Sequence, residues 1–345
     1  MSIKKALIFL LVIVMVGSVL LAGCGGGSNK GASDNESTNG AEEVKTYTFR
    51  VSTNHPEEHP TTDSLKEFAR LMKEKTEGRV EVKIYPAAQL GEETEVIEQA
   101  QQGILEFVRV SAGNMSGFAP KMDIFSVPYL FKDAEKYWEI LSGPIGDEIF
   151  ADLETKQLKG IVYYDGGARS FYNRIKPIQT PEDLKGMKIR VMPSEIMLKT
   201  IEAFDAVPTS TSFSEVYSAL QTGVIDGAEN SAISLLTMKH SEVAPYFSLD
   251  EHMRIPDMLV MSLSKWNEMP EDIQNAIIEA GKESLEFQKK AWAEYEEATM
   301  KQLEAEGVKI NTVDKEAFAK VVAPLIEEVK PQFGGLIEKI QEAQK

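Results

Sequence analysis

The chain has 345 residues, 54 of them acidic against 37 basic, for a formal charge of −17. That balance argues against a nucleic-acid partner, which needs a basic face, but allows a small anionic ligand, because charges beyond about 8 Å are largely screened at physiological salt and a local cationic cleft can outweigh the sum. One cysteine in the whole sequence excludes a disulfide framework.

Lys4 and Lys5 precede an apolar run from Ala6 to Val16, which resumes after Gly17 and Ser18 as VLLAGC and ends at Cys24. A basic start, a short apolar stretch and small residues before a cleavage point make a secretory signal over residues 1–23, too short for a comfortable membrane span. Leu21-Ala22-Gly23-Cys24 resembles the bacterial lipobox, which implies cleavage before Cys24 and lipidation of that cysteine. A plain signal with an incidental cysteine is the alternative. The lipobox reading makes the protein extracytoplasmic and holds it to the membrane through a lipid anchor only. Loss of the signal removes two lysines and takes the charge from −17 to −19. The following stretch, GGGSNKGASDNESTNGAEE, has no large apolar residue and reads as part of a flexible tether over 24–45. About 300 residues remain from Thr46 onward, enough for two domains or one large one.

From there strand and helix patterns alternate. TYTFRVST has strand period, and TTDSLKEFARLMKEKTEG puts Leu65, Phe68, Leu71 and Met72 on one helical face before stopping at Gly78. RVEVKIYP alternates again, GEETEVIEQAQQG is a helix closed by Gly103, and ILEFVRV is the next strand. After a break around SGPIGDE come strands in KGIVYYDGG and GMKIRVM, helices in SEIMLKTIEAF and FSEVYSALQTG, then VIDGAEN and the apolar strand PDMLVMS. A helical tract from Glu271 to Glu306, interrupted only by Gly281, is roughly 50 Å long and exceeds one small domain. This grammar predicts an α/β protein with a largely parallel sheet and helices on both faces.

Two arginines carry the chemistry. In GMKIRVM, Arg190 and Lys188 share the face opposite Met187, Ile189 and Val191, and Arg190 falls near a strand's carboxyl end, where open α/β sheets bind ligands. Arg169 follows IVYY by a glycine-containing turn and is expected at an adjacent strand end. Two guanidinium forks there could clamp one carboxylate. Spacing alone allows an equally ordinary role, pairing with a local acid such as Asp165 or Glu229.

GARSFYNRIKPIQTPEDLKGMKIRV and FSEVYSALQTGVIDGAEN resemble the signature blocks of the solute-binding subunit of TRAP transporters, the DctP family, and YPAAQLGEE and FSVPYLFKD match in order. The resemblance covers essentially the whole chain after the tether. It implies a two-domain, periplasmic-binding-protein-like (type II) fold with crossing hinge strands and a long domain-spanning helix. One domain would comprise 46–166 plus about 256–295, and the other 167–255 plus about 296–345. The resemblance further implies a receptor that encloses an organic acid and delivers it to TRAP membrane permease subunits, with no cofactor and no metal. Arg190 would make the main bidentate bond to the ligand carboxylate, Arg169 would support it, Asn230 would hydrogen-bond it, and Phe213 would pack on the ligand.

GARSFY, DGAEN and SLDEHMRIPDML look closest to the sugar-acid branch, which takes hexuronates and aldonates. A hydroxyl-rich ligand needs polar partners at the far end of its pocket. Candidates are Asn54, His55, Glu93, Arg109 and Ser111, although His55 could simply cap a turn and Glu93 could favour a helix dipole. The competing ligand is a C4-dicarboxylate, which wants a second cation, and Arg109 could serve. An extracytoplasmic hydrolase is the reading from another class. No G-x-S-x-G elbow or P-loop supports it. His55 and His59 are four apart, but Pro56 and Pro60 break the helix that would align them as metal ligands.

Overall fold

The computed structural model describes residues 45–345; the expected signal segment, Cys24 and the tether as far as residue 44 lie outside the described residues. Eleven strands form two sheets. The strands are β1 (Tyr47–Ser52), β2 (Val80–Tyr85), β3 (Phe107–Ser111), β4 (Leu158–Tyr164), β5 (Ala168–Asn173), β6 (Lys188–Val191), β7 (Val207–Ser210), β8 (Gly227–Asn230), β9 (Tyr246–Arg254), β10 (Asp257–Ser262) and β11 (Lys309–Thr312). One sheet has the order β2-β1-β3-β10-β4, the other β11-β9-β5-β8-β6-β7. Helices form where the sequence periodicity places them. The helix Pro60–Lys75 begins with His59 as its N-cap, whose ring accepts from Thr61 N, and buries Leu65, Phe68, Leu71 and Met72.

The sheets are mixed rather than largely parallel. β1 pairs in parallel with β2 and β3, and β6 with β7 and β8, as the alternating pattern requires. β10 is antiparallel between β3 and β4, and β5 is antiparallel between β8 and β9. The cause is that the chain crosses directly from strand to strand between the sheets twice, in opposite directions, before the long helix carries it over a third time to β11. It leaves the first sheet after β4 through residues 165–167 and returns after β9 through 255–256. The two crossings run side by side, with Asp257 paired to Tyr164 and Ala168 to Arg254. Local periodicity reports each strand but not its direction relative to a partner a hundred residues away. At the crossing a Cβ on Gly166 would lie 2.4 Å from the carbonyl oxygen of Ile255, so only glycine lets the two segments touch.

The helix Glu271–Ala305, about 52 Å long, runs past both sheets. Its Ile273, Ala276, Ile277 and Ala280 belong to the core of the first sheet, while Leu303 belongs to that of the second. Gly281 lies where an added Cβ would be 3.0 Å from Ile161 on β4, which explains the one glycine in this helix. The middle of the helix holds the first crossing. Ser284 and Tyr164 share a hydroxyl–hydroxyl bond of 2.6 Å. One turn on, Gln288 accepts from Asp165 N at 2.6 Å and donates to Asp165 O and to Thr61 Oγ1 at 3.3 Å. One further turn on, Trp292 approaches the His59 ring at 6.4 Å. This i, i+4, i+8 row lies along one helix face, and Gln288 at its centre holds the backbone of the crossing.

Gln288→Ala removes the side-chain partner of a buried backbone amide. It should destabilise the protein by about 1–3 kcal/mol. The check is a lower urea midpoint with an unchanged slope; a wild-type midpoint would show that the helix does not brace the crossing.

Candidate ligand-binding site

The two sheets face each other across a cavity beside the crossings, and each contributes one wall. On the six-stranded wall, β6 buries Ile189, Arg190 and Val191 in succession. Arg190 is 2% exposed. Its Nε and Nη2 donate to the carbonyl of Thr211 at 3.0 and 2.7 Å, and its guanidinium lies 5.7 Å from the Phe213 ring centre. Among the described residues it forms no ion pair. Burial, helped by the nearby Arg169 charge, pushes its pKa below the ordinary arginine value in spite of Tyr172, Glu229 and Glu93.

The two arginines are not on adjacent strand ends, because β8 lies between β5 and β6. Arg169 is the second residue of β5, not the tail of a parallel strand. It reaches the site because β5 runs antiparallel to β8 and pairs Ser170 with Asn230, which brings the start of one strand beside the end of the other. The ion pair with Glu229, open as an alternative from sequence, is present. Arg169 Nε donates to one carboxylate oxygen at 2.6 Å and Nη2 to the other at 2.9 Å. Its Nη1 donates to Asn230 Oδ1 at 3.0 Å, and Ser231 N donates to the same oxygen at 2.8 Å. Two donors on Oδ1 assign the amide's orientation and leave its NH2 to donate elsewhere.

Behind Glu229 stands His252, whose Nδ1 is 2.7 Å from Asp250 Oδ2 and whose Nε2 is 3.7 Å from Glu229. Burial alone would lower its pKa, but the two carboxylates overcome this and raise it to about 9. Burial likewise opposes ionisation of Glu229, yet Arg169 and His252 hold it down at about 2. Phe213 meets His240 edge-on at 5.6 Å and His55, from the opposite wall, at 6.1 Å.

On the five-stranded wall Arg109 is also buried, and both of its terminal nitrogens are engaged while Nε has no partner among the described residues. Its Nη1 donates to Asn54 Oδ1 and Glu93 Oε1, both at 2.7 Å, and Nη2 pairs with Asp257. The second-cation role considered for a dicarboxylate is therefore not open to it, since two acids already surround it. Glu93 also accepts from Ser111 N at 3.2 Å and from the Asn114 amide. Asp257 accepts from His55 Nε2 at 3.1 Å. The rings of His55 and His59 stack in parallel, 3.6 Å apart. No helix aligns them: His59 caps one, and His55 precedes Pro56. Burial, reinforced by Arg109, lowers the His55 pKa to about 4; burial and then His55 lower that of His59. At the rim Ser214 Oγ donates to Glu92, so the walls touch.

One cavity is lined by all nine residues expected to face a ligand, together with His59, Asn114, Met192, Ser234 and Asp257. Asp257 opens an otherwise apolar strand, a charge out of keeping with its neighbours, and that oddity was its only signal in the sequence. His59 and Asn114 had none beyond their proximity to His55 and Ser111. No helix of the described residues is long and apolar enough to cross a membrane, and no group of them is arranged to hold a metal ion.

Residues 51–332 match the family model of the bacterial extracellular solute-binding protein, family 7, DctP. The chain belongs to that family. A solute-binding protein from Chromohalobacter salexigens is 37% identical over 294 residues, 84% of this chain and 88% of the relative. Two solved TRAP periplasmic solute-binding proteins superpose with TM-scores of 0.83. One, from Sulfitobacter sp. NAS-14.1 with bound β-D-galacturonate, is 36% identical, and the match covers 86% of this chain and 100% of that one. The other, from Chromohalobacter salexigens with bound D-glucuronate, is 37% identical with the same coverage. This protein is accordingly a TRAP solute receptor, in a family of binding proteins rather than enzymes.

The raised pKa of His252 fixes the sign of one pH dependence. Its protonated form is held by the fold, so its contribution to stability is complete below the unfolded value of 6.5 and is lost as pH rises through about 9. His55, at about 4, and His240, at about 3, are neutral in the fold over this range, and being shared by wild type and variant they cancel in the difference. The stability advantage of wild type over His252→Gln, from denaturant titrations, should shrink between pH 6.5 and 9; a constant difference would show that His252 is neutral in the fold.

Proposed function

We propose that the protein binds a hexuronate or closely related sugar acid in this cavity and delivers it to a TRAP permease. Arg190 takes the ligand carboxylate, with the Asn230 amide donating to the same group. Arg169 acts through Asn230, whose oxygen it holds. Phe213 covers the ligand's carbon face, and the five-stranded wall receives the hydroxyls. The observation that carries the reading is the isolation of Arg190. A buried guanidinium whose protein contacts are a carbonyl and an aromatic ring has lost its hydration without gaining a counter-charge. A carboxylate from outside supplies it, in the bidentate geometry that arginine favours. The sugar acids bound by the two similar structures support the substrate class. A C4-dicarboxylate fits less well, because Arg109 is neutralised by Glu93 and Asp257 and offers no second free cation.

On this reading 46–166 plus about 256–295 form one domain and 167–255 plus about 296–345 the other. They close by bending at the two crossings, and a ligand touching both walls favours the closed state by its differential affinity. Cleavage before Cys24 and lipidation of that residue would keep the receptor at the outer face of the membrane, next to its permease.

Glucuronate or galacturonate at 100 times its Kd should add about 2.7 kcal/mol of stability, seen as a rise in melting temperature, while malate and succinate should add none. A rise with malate or succinate alone would overturn the substrate class. Arg190→Met should weaken hexuronate binding by about 100-fold or more in calorimetry, the cost of losing one partner of a desolvated charge pair. The same variant without ligand should be at least as stable as wild type, because it removes an unpaired buried charge. Retained affinity would exclude the arginine clamp.

A further inference from the structure

The charges of the cavity are segregated. The six-stranded wall presents one uncompensated positive charge, Arg190, since Arg169 is matched by Glu229. The five-stranded wall presents the reverse, two carboxylates around one guanidinium. Against the cost of burial, Arg109 and His55 hold the Asp257 carboxyl below the usual carboxylate range, whereas for Glu93 burial outweighs Arg109 and pushes the carboxyl up. Glu93 receives Arg109, the Ser111 amide and Asn114, while Asp257 receives Arg109 and His55. Around Glu93 the partners are all donors as oriented, a setting that favours the carboxylate against the cost of burial.

The stacked histidines add a second, independent constraint. His55 uses Nε2 on Asp257, so its Nδ1 is a bare acceptor. His59 accepts from Thr61 N at Nδ1, so its Nε2 carries the proton. Both leftover atoms are buried without a hydrogen-bond partner, on residues 5% and 1% exposed that line the cavity. A hydroxyl both donates and accepts, and can satisfy such a pair. A carboxylate only accepts, and would face a lone pair on His55 and two negative side chains behind it.

We propose that the cleft selects sugar acids carrying one carboxylate and rejects the corresponding diacids, with Glu93 and Asp257 as the residues that enforce the rejection through their surplus negative charge. This rests on the sugar-acid reading above and deepens it. Arg190 attracts one carboxylate, and the opposite wall penalises a second while accepting hydroxyls, the repulsive element that specificity commonly requires.

Galactonate and galactarate test this directly, since they differ only in a terminal CH2OH against COO−. Calorimetry on the full chain should show galactarate binding about 100-fold more weakly than galactonate or galacturonate, whichever binds tighter. In Glu93→Gln, which keeps the shape and removes the surplus charge, the gap should narrow at least tenfold. Asp257→Asn should do the same, and Glu93→Gln stands alone if that variant does not fold, because it leaves the Arg109–Asp257 pair in place. Galactarate binding within about tenfold of the better monoacid overturns the proposal, as does a gap unchanged in folded Glu93→Gln. Failure of every monoacid to bind would instead overturn the sugar-acid reading itself, so the two failures are told apart by the wild-type titrations.

Discussion

Three arginines are buried at the meeting of the two sheets, and the fold supplies carboxylates for only two of them. Arg109 lies between Glu93 and Asp257, and Arg169 is forked onto Glu229. Arg190 is left with a carbonyl and a phenyl ring. An unpaired cation in that position works against folding, and it is sustained because the rest of the site is over-determined. β6 is pinned between β7 and β8, Asn230 is oriented by two donors, and Glu229 is fixed from behind by the doubly bridged His252. The same isolation that costs stability makes the site complementary to one negative group.

The position of the site follows from the crossings. Arg169 comes immediately after the first crossing and Asp257 immediately after the second, so residues on opposite walls are only a few positions from the backbone that joins the sheets. Glycine at 166 lets the two segments touch, and the long helix holds the backbone of the first through Gln288, flanked by Ser284 on the Tyr164 hydroxyl and Trp292 beside the His59 ring. On the proposed closure, a ligand bridging the walls would act close to the crossings, where small displacements translate into larger ones at the rim.

Much of this was legible without coordinates. Strand-and-helix alternation and the length of the long helix are local properties, written in composition and period. The signature blocks that carry the arginines are long enough to identify the family, and they contain Arg190, Asn230 and Phe213, which line one cavity. Sequence did not reveal that β10 and β5 run against their neighbours, because strand direction is set by a partner far away in the chain. Nor did it reveal that Arg109 is already paired with acids while Arg190 is not. Both are arginines within apolar strands, and period alone gives them the same status.

What the sequence by itself determined was therefore the class of protein, its elements and the residues that line its cavity. Tertiary structure alone decided which of those charges are already spent. Asp257 reaches Arg109 across 148 positions, and Glu229 reaches Arg169 across 60. Charge compensation depends on distances of a few ångströms in a low-dielectric interior. Those distances are fixed by the return of the chain through its second crossing, and no local pattern encodes them.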